Sequence, residues 1–130
     1  MYVSDTHAFV YFAQGKRAFL GPKVRRLFQQ ADDGKCLIYV PVIVLWEVAI
    51  LAARSYIQIP QRFDHWCRSI ENSRGFAIAE LDWLDVDEAR KLPFSDPYDC
   101  LIAGTAIRHE MPLITRDQII VDSGLVETIW

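Results

Sequence analysis

Cysteine is scarce in this chain, and no two of its cysteines stand close together. Cys36, Cys67 and Cys100 are an odd number at wide spacing, which argues against a zinc site and against a disulfide framework. They read as reduced thiols of a cytosolic protein, with Cys36 and Cys100 inside apolar core runs. Long hydrophobic runs are also missing. The longest, Leu37 to Trp46, has ten residues and contains a proline, too short to span a bilayer. No charged segment precedes the first apolar run, and Asp5 interrupts that run, so no signal peptide is expected and the chain reads as soluble and cytoplasmic. There is no G-x-x-x-x-G-K-[ST] phosphate loop, no G-x-G-x-x-G turn and no G-x-S-x-G elbow. The absence of a D-x-D-x-[TV] segment removes support for a phosphoaspartyl phosphatase. No repeat, low-complexity tract or linker divides residues 1–130, so a single domain is expected.

What is present is a set of carboxylates placed just after apolar runs: Asp5 in YVSD, Glu47 in VIVLWE, Asp99 in DPYDCLIAGTA and Asp117 in LITRD. If the fold gathers them, their mutual repulsion calls for a divalent cation. The absence of Cys or His clusters favours Mg²⁺ or Mn²⁺ over zinc. Such a centre suits phosphodiester hydrolysis, supplying a nucleophilic water, charge stabilisation at phosphorus and a stabilised leaving oxygen.

The net charge of −3 at first argues against a nucleic-acid substrate. Removing the four proposed acids leaves the remainder of the chain at +1. Lys16, Arg17, Lys23, Arg25 and Arg26 also fall within eleven residues, either a solvated helix face or a patch that tracks phosphates. The 52% hydrophobic content fits a compact core or a surface buried against a partner. Trp46, Trp66, Trp83 and Phe63 lie on helical faces and read as core. Of the three histidines, His7 alone is two residues from a candidate acid.

Hydrophobic periodicity and turn signals predict strands over Met1–Ser4, Cys36–Val40, Phe76–Leu81, Leu113–Thr115 and Val126–Trp130. Helices are predicted over Thr6–Gln14, from Pro22 to the Asp32–Asp33–Gly34 stop, from Pro41 to Arg54, and over Pro60–Ser73, Trp83–Leu92, Pro97–His109 and Asp117–Val121. The alternation favours an α/β fold with a mostly parallel sheet of four to five strands covered on both faces. In such sheets ligands bind beyond the carboxyl ends of the strands. Asp5 and Asp117 fall near such ends, and Glu47 and Asp99 in the early turns of helices.

Each acid also has a structural explanation. Asp5 and Asp117 can cap the helices that follow them. Ser95 or Asp96 as N-cap, Pro97 at the first helical position and Asp99 in the first turn make a good helix start. Glu47, in the nearly continuous apolar segment Val40–Ala53, is the hardest to explain without a function.

Taken together the segments resemble the PIN-domain family, and specifically VapC-type toxins of type II toxin–antitoxin pairs. The resemblance rests on VSDTHAFVYF, VIVLWEVAI, LPFSDPYDCLIAGTAI, PLITRD and GLVETIW, in that order along nearly the whole chain. It implies a three-layer α/β/α sandwich and a metal site of Asp5, Glu47, Asp99 and Asp117 with Asp96 as a fifth member. It further implies Mg²⁺ or Mn²⁺, an RNA substrate, a homodimer and a cognate antitoxin. Thr115, Thr6 and Arg116 are the expected substrate-side residues, with some of Lys16–Arg26 holding the RNA backbone. Two departures stand out: Cys100 occupies a position where Arg is common, and Val42 and Val44 lie where relatives often carry Ser. The expected function is metal-dependent endoribonuclease, with a water oriented by Asp99 or Asp117 attacking phosphorus. The alternatives are a PIN-fold RNA-processing nuclease outside toxin–antitoxin systems and a non-enzymatic PIN-fold binding module.

Overall fold

Short apolar runs followed by capped helices produce a repeating strand–helix chain in the computed structural model, which describes residues 1–130. The strands are β1 (Tyr2–Ser4), β2 (Ile38–Pro41), β3 (Phe76–Ala79), β4 (Leu113–Ile114) and β5 (Thr128–Ile129). All pairings are parallel, in the order β3-β2-β1-β4-β5. Val3 stands opposite Tyr39 on one side and Leu113 on the other. Consecutive strand residues point to opposite faces. Val3 and Ser4 are both fully buried, as are Leu113 and Ile114, so both faces of the sheet centre are covered. The result is a three-layer α/β/α sandwich, with a sheet that is wholly rather than mostly parallel.

The helices are α1 (Thr6–Ala13), α2 (Pro22–Asp32), α3 (Val42–Ala53), α4 (Phe63–Glu71), α5 (Trp83–Ala89), α6 (Pro97–Arg108) and α7 (Gln118–Ser123). Four of them start on an aspartate that accepts backbone N–H groups: Asp5, Asp82, Asp96 and Asp117. A cap of this kind contributes about 1 kcal/mol. On α2 the residues Val24, Leu27, Phe28 and Ala31, apolar at helical spacing, form one face that is buried throughout, with Pro22 in its first turn. Phe12, Phe28 and Phe76 stack with ring centroids 4.5–6.1 Å apart and pin α1 and α2 to β3. Gly75, just before β3, is needed for close approach: a Cβ there would lie 1.8 Å from the Ala31 carbonyl oxygen.

Several expectations are corrected. Trp83, Trp46 and Phe63 are not core residues; they are 74%, 54% and 41% exposed, and Trp66 is half-buried. Helical spacing says which residues share a face, not whether a neighbour covers that face. Cys36 and Cys100 are likewise half-buried, and all three thiols are free. Element ends are shorter than the apolar runs. β5 pairs only where the two-residue β4 offers a partner, and α4 begins at Phe63 rather than Pro60. No helix is long and apolar enough to cross a membrane.

Candidate active site at the carboxyl edge of the sheet

From β1 the chain moves outward to β2 and β3 on one side, then returns to place β4 and β5 on the other. The order therefore reverses between β1 and β4, and the crevice beyond the carboxyl ends of those strands is where ligands bind in open parallel sheets. Asp5 follows β1 directly, and Asp117 follows β4 after Thr115 and Arg116. Glu47 projects into the same region from α3, and Asp96 and Asp99 from the start of α6. The fold thus gathers five acids spread over more than a hundred residues of sequence.

Their electrostatics reveal the proximity. Burial is the largest influence on Asp99 and pushes it up to about 6, reinforced in order by Asp96, Asp117, Glu47 and Asp5. Burial likewise raises Glu47, with Asp96 and Asp5 adding to the rise while the Thr6 hydroxyl and His7 oppose it. Asp5, 7% exposed, is raised by burial and by Asp117 against the lowering effects of Thr115, the Ala8 N–H and His7. None of the five acids forms an ion pair with a lysine or arginine, although they lie close enough to raise one another, whereas Asp32, Asp33, Asp64, Asp87 and Glu88 on the surface each meet one. His7 is exposed beside them.

The side chains are held from behind. Thr6 donates from Oγ1 to Glu47 Oε1 at 2.6 Å. Ala8 N–H donates to Asp5 Oδ1 at 2.7 Å, and Tyr98 N–H to Asp96 Oδ1 at 2.8 Å. Ile119 and Ile120 N–H groups share Asp117 Oδ1 at 2.8 and 3.3 Å. The Asp117 N–H donates in turn to Thr115 Oγ1 at 3.1 Å. Glu47, Asp96 and Asp117 thus each have one oxygen fixed by the protein and the other free of it, and Asp99 has both free. The helix-cap reading and the functional reading of Asp5, Asp96 and Asp117 are compatible, because capping uses a single oxygen.

No three His, Cys, Asp or Glu side chains converge tightly enough to form a ready-made metal centre. The donor set nonetheless fits a hydrated hard cation. Magnesium keeps several waters and needs only one or two direct carboxylates. Zinc is a poorer fit: its usual ligands are thiolates and imidazoles, whereas this group is made of carboxylates with the exposed His7 beside it. Cys100 turns its Sγ to the Phe94 carbonyl at 3.3 Å.

Of the residues expected to meet substrate, Thr6 and Thr115 are 4% and 0% exposed, and their hydroxyls bond to the acids. Arg116 is exposed, and its Nη2 donates to Tyr11 Oη at 2.9 Å. Its guanidinium lies 5.3 Å from the Tyr11 ring centroid and 5.5 Å from that of Trp130. Tyr11 and Trp130 carry no local sequence signal for this role, since 105 positions separate Tyr11 from Arg116.

A model of the PIN domain family matches residues 2–122. No curated protein matches the chain by sequence. Among solved structures, VapBC2 from Rickettsia felis bound to a DNA fragment from its promoter is similar at a TM-score of 0.70. That match has 16% identity and covers 99% of this chain and 98% of that one. FitAB bound to IR36 DNA is similar at a TM-score of 0.57 and 18% identity, covering 99% of this chain and 94% of that one. At these identities the likeness is one of fold.

Proposed function

Since the chain belongs to the PIN-domain family, we propose that it is a metal-dependent endoribonuclease, the toxin half of a type II toxin–antitoxin pair acting in the cytoplasm. The observation that carries the nuclease reading is the group of carboxylates with no lysine or arginine partner at the switch point of the sheet, one of them pushed up to about 6. Uncompensated like charges are costly, and a protein that retains them in one crevice has arranged them for a positive ligand.

Asp5, Glu47, Asp99 and Asp117 would hold Mg²⁺ or Mn²⁺, with Asp96 at the rim. When bound, the cation would supply charge stabilisation at phosphorus and lower the cost of forming the nucleophile. Thr6 keeps the carboxylate of Glu47 oriented and Thr115 that of Asp5, while the Ile119 and Ile120 N–H groups hold that of Asp117. Asp99, with both oxygens free, is the acid best placed to orient the attacking water and accept its proton. Arg116, next to the acids in sequence yet unpaired with them, would hold a backbone phosphate.

The toxin–antitoxin part is supported by the fold shared with VapBC2 and FitAB, whose structures are complexes with DNA. Apolar side chains left on the surface, including Trp46, Tyr56, Trp83 and Val86, support partner surfaces for an antitoxin and a second copy of the chain. Sedimentation of the purified protein checks the homodimer.

The deciding experiment incubates protein free of any partner with total cellular RNA in Mg²⁺, Mn²⁺ or EDTA, with Asp99→Asn alongside. Cleavage is expected only for the wild type with metal. Cleavage that persists in EDTA, or equally in the variant, sinks the mechanism.

A further inference from the structure

Beside the acids lies a cluster of rings and cations that capping and core packing do not explain. On α1, His7 and Tyr11 are one turn apart and share a face, with ring centroids 6.4 Å apart. Phe19, in the 3₁₀ turn after α1, stacks on Tyr11 at 5.3 Å and 23°. Phe19 is nevertheless 55% exposed, so one of its faces is open to solvent. On the other side Arg116 is braced between Tyr11 and Trp130. Trp130 packs in turn against Gly21, whose added Cβ would come 2.7 Å from the Trp130 carbonyl carbon. That contact brings the start of α2 up to Trp130. A row therefore runs outward from the acids: His7, then Tyr11 with Arg116, then Phe19 and Trp130.

We propose that Tyr11, Phe19, Arg116 and Trp130 form a stacking platform that receives the bases of single-stranded RNA next to the carboxylate site. The proposal rests on the nuclease reading for the choice of RNA, and its geometry stands on the rings and charges. Aromatic faces stack any base, and the stack on Tyr11 holds the Phe19 ring in a fixed orientation with one side free. Arg116 has five N–H donors and spends one on Tyr11. It meets no carboxylate, although Asp117 is its neighbour in sequence, so its remaining donors are available to a phosphate. A duplex keeps its bases stacked on one another and offers no faces to such a platform, so an unpaired strand is the matching substrate.

The test measures binding in EDTA, where no cleavage step intervenes. The probe is a fluorescently labelled twelve-nucleotide single-stranded RNA followed by anisotropy. Phe19→Ala should weaken its binding about tenfold. Phe19→Leu, which keeps apolar contact with Tyr11 but has no aromatic face, should weaken it similarly. Phe19→Tyr should remain within about twofold of wild type. On an abasic strand of the same length the variants and wild type should bind alike. Wild-type affinity in both Phe19→Ala and Phe19→Leu, or equal losses on the abasic strand, overturns the platform. So does a Phe19→Ala variant that sheds a copurifying protein while its RNA affinity stands, because the rings are then a protein dock. Cleavage of total RNA in Mg²⁺ is scored separately: its absence counts against the nuclease reading and leaves the binding result to decide the platform.

Discussion

Acidic residues gather at two places in this molecule, and the fold treats them in opposite ways. Between α5 and α6, Asp82 and Asp85 close a capping box and meet Arg108, whose Nη1 lies 2.6 Å from Asp82 Oδ1 and 2.9 Å from Asp85 Oδ2. At the carboxyl edge of the sheet, Asp5, Glu47, Asp96, Asp99 and Asp117 meet one another. The titration behaviour follows. Burial works to raise Asp82, but the Leu84 N–H and Arg108 outweigh it and its carboxyl ends up lowered. Asp99 experiences burial and four like charges, and rises to about 6. Acid content therefore says little by itself. A cluster paired with a cation from within ties helices together, whereas one left without lysine or arginine partners is the one proposed above to receive a cation from outside.

Breaking the neutralised cluster should have the largest effect. Asp85 is fully buried and its Oδ1 has no hydrogen-bond partner, with His109 Nε2 3.9 Å away. Arg108→Ala strands that carboxylate, and thermal unfolding should shift down by on the order of 10 °C. An unchanged melting temperature would erase the distinction between the two clusters.

Asp99→Asn should do the reverse. RNA cleavage should fall by about 100-fold or more, since even groups that only support a metal ligand commonly cost 10–100-fold. The metal-free protein should be at least as stable as wild type. Single-turnover cleavage and urea denaturation in EDTA read the two halves of this prediction.

The pH dependence sharpens the contrast further. A carboxyl raised from 3.8 to about 6 on folding favours the folded state while protonated, below its unfolded pKa. That contribution is lost as pH rises through about 6. Urea midpoints in EDTA should therefore show Asp99→Asn gaining on wild type between pH 4 and pH 6, with a constant difference above. Magnesium must displace the same proton, so its affinity for wild type should climb through that window and level off beyond it. A difference that stays flat across the window means Asp99 is not raised by burial and its acidic neighbours.

The smallest effect is expected at Asp5. Asn there keeps an oxygen to accept the Ala8 N–H and removes one charge from the cluster. Differential scanning in EDTA should give a melting temperature equal to wild type or a few degrees higher, with weaker magnesium binding by calorimetry. A large drop would assign Asp5 mainly to the α1 cap and to its bond with Thr115.

Much of this was legible in the chain before folding. The Asp5, Asp96 and Asp117 caps and the strand–helix alternation are local patterns, and the structure reproduces them. The candidate acids could be named because each follows an apolar run that ends at a strand or helix boundary. Exposure was harder to read. Trp83 has the spacing of a buried residue and is 74% exposed, because α5 presents only its Asp85 and Ala89 side to α6. The role of a threonine beside an acid is equally hard to read from sequence, since it can face substrate or brace the acid; here the Thr6 hydroxyl meets Glu47 and that of Thr115 meets Asp5 and the Asp117 N–H.

The sequence by itself determined the identities and local settings of the carboxylates, the helix starts and the alternation that requires a parallel sheet, since period, cap and turn act over a few residues. Only the tertiary structure decided that β1 and β4 lie side by side, so that Asp5 and Asp117 share a crevice with Glu47 and Asp99. It alone set Arg116 between Tyr11 and Trp130 and left the acids without lysine or arginine partners. Those outcomes depend on strand order and on contacts between distant segments, which no window of the chain contains.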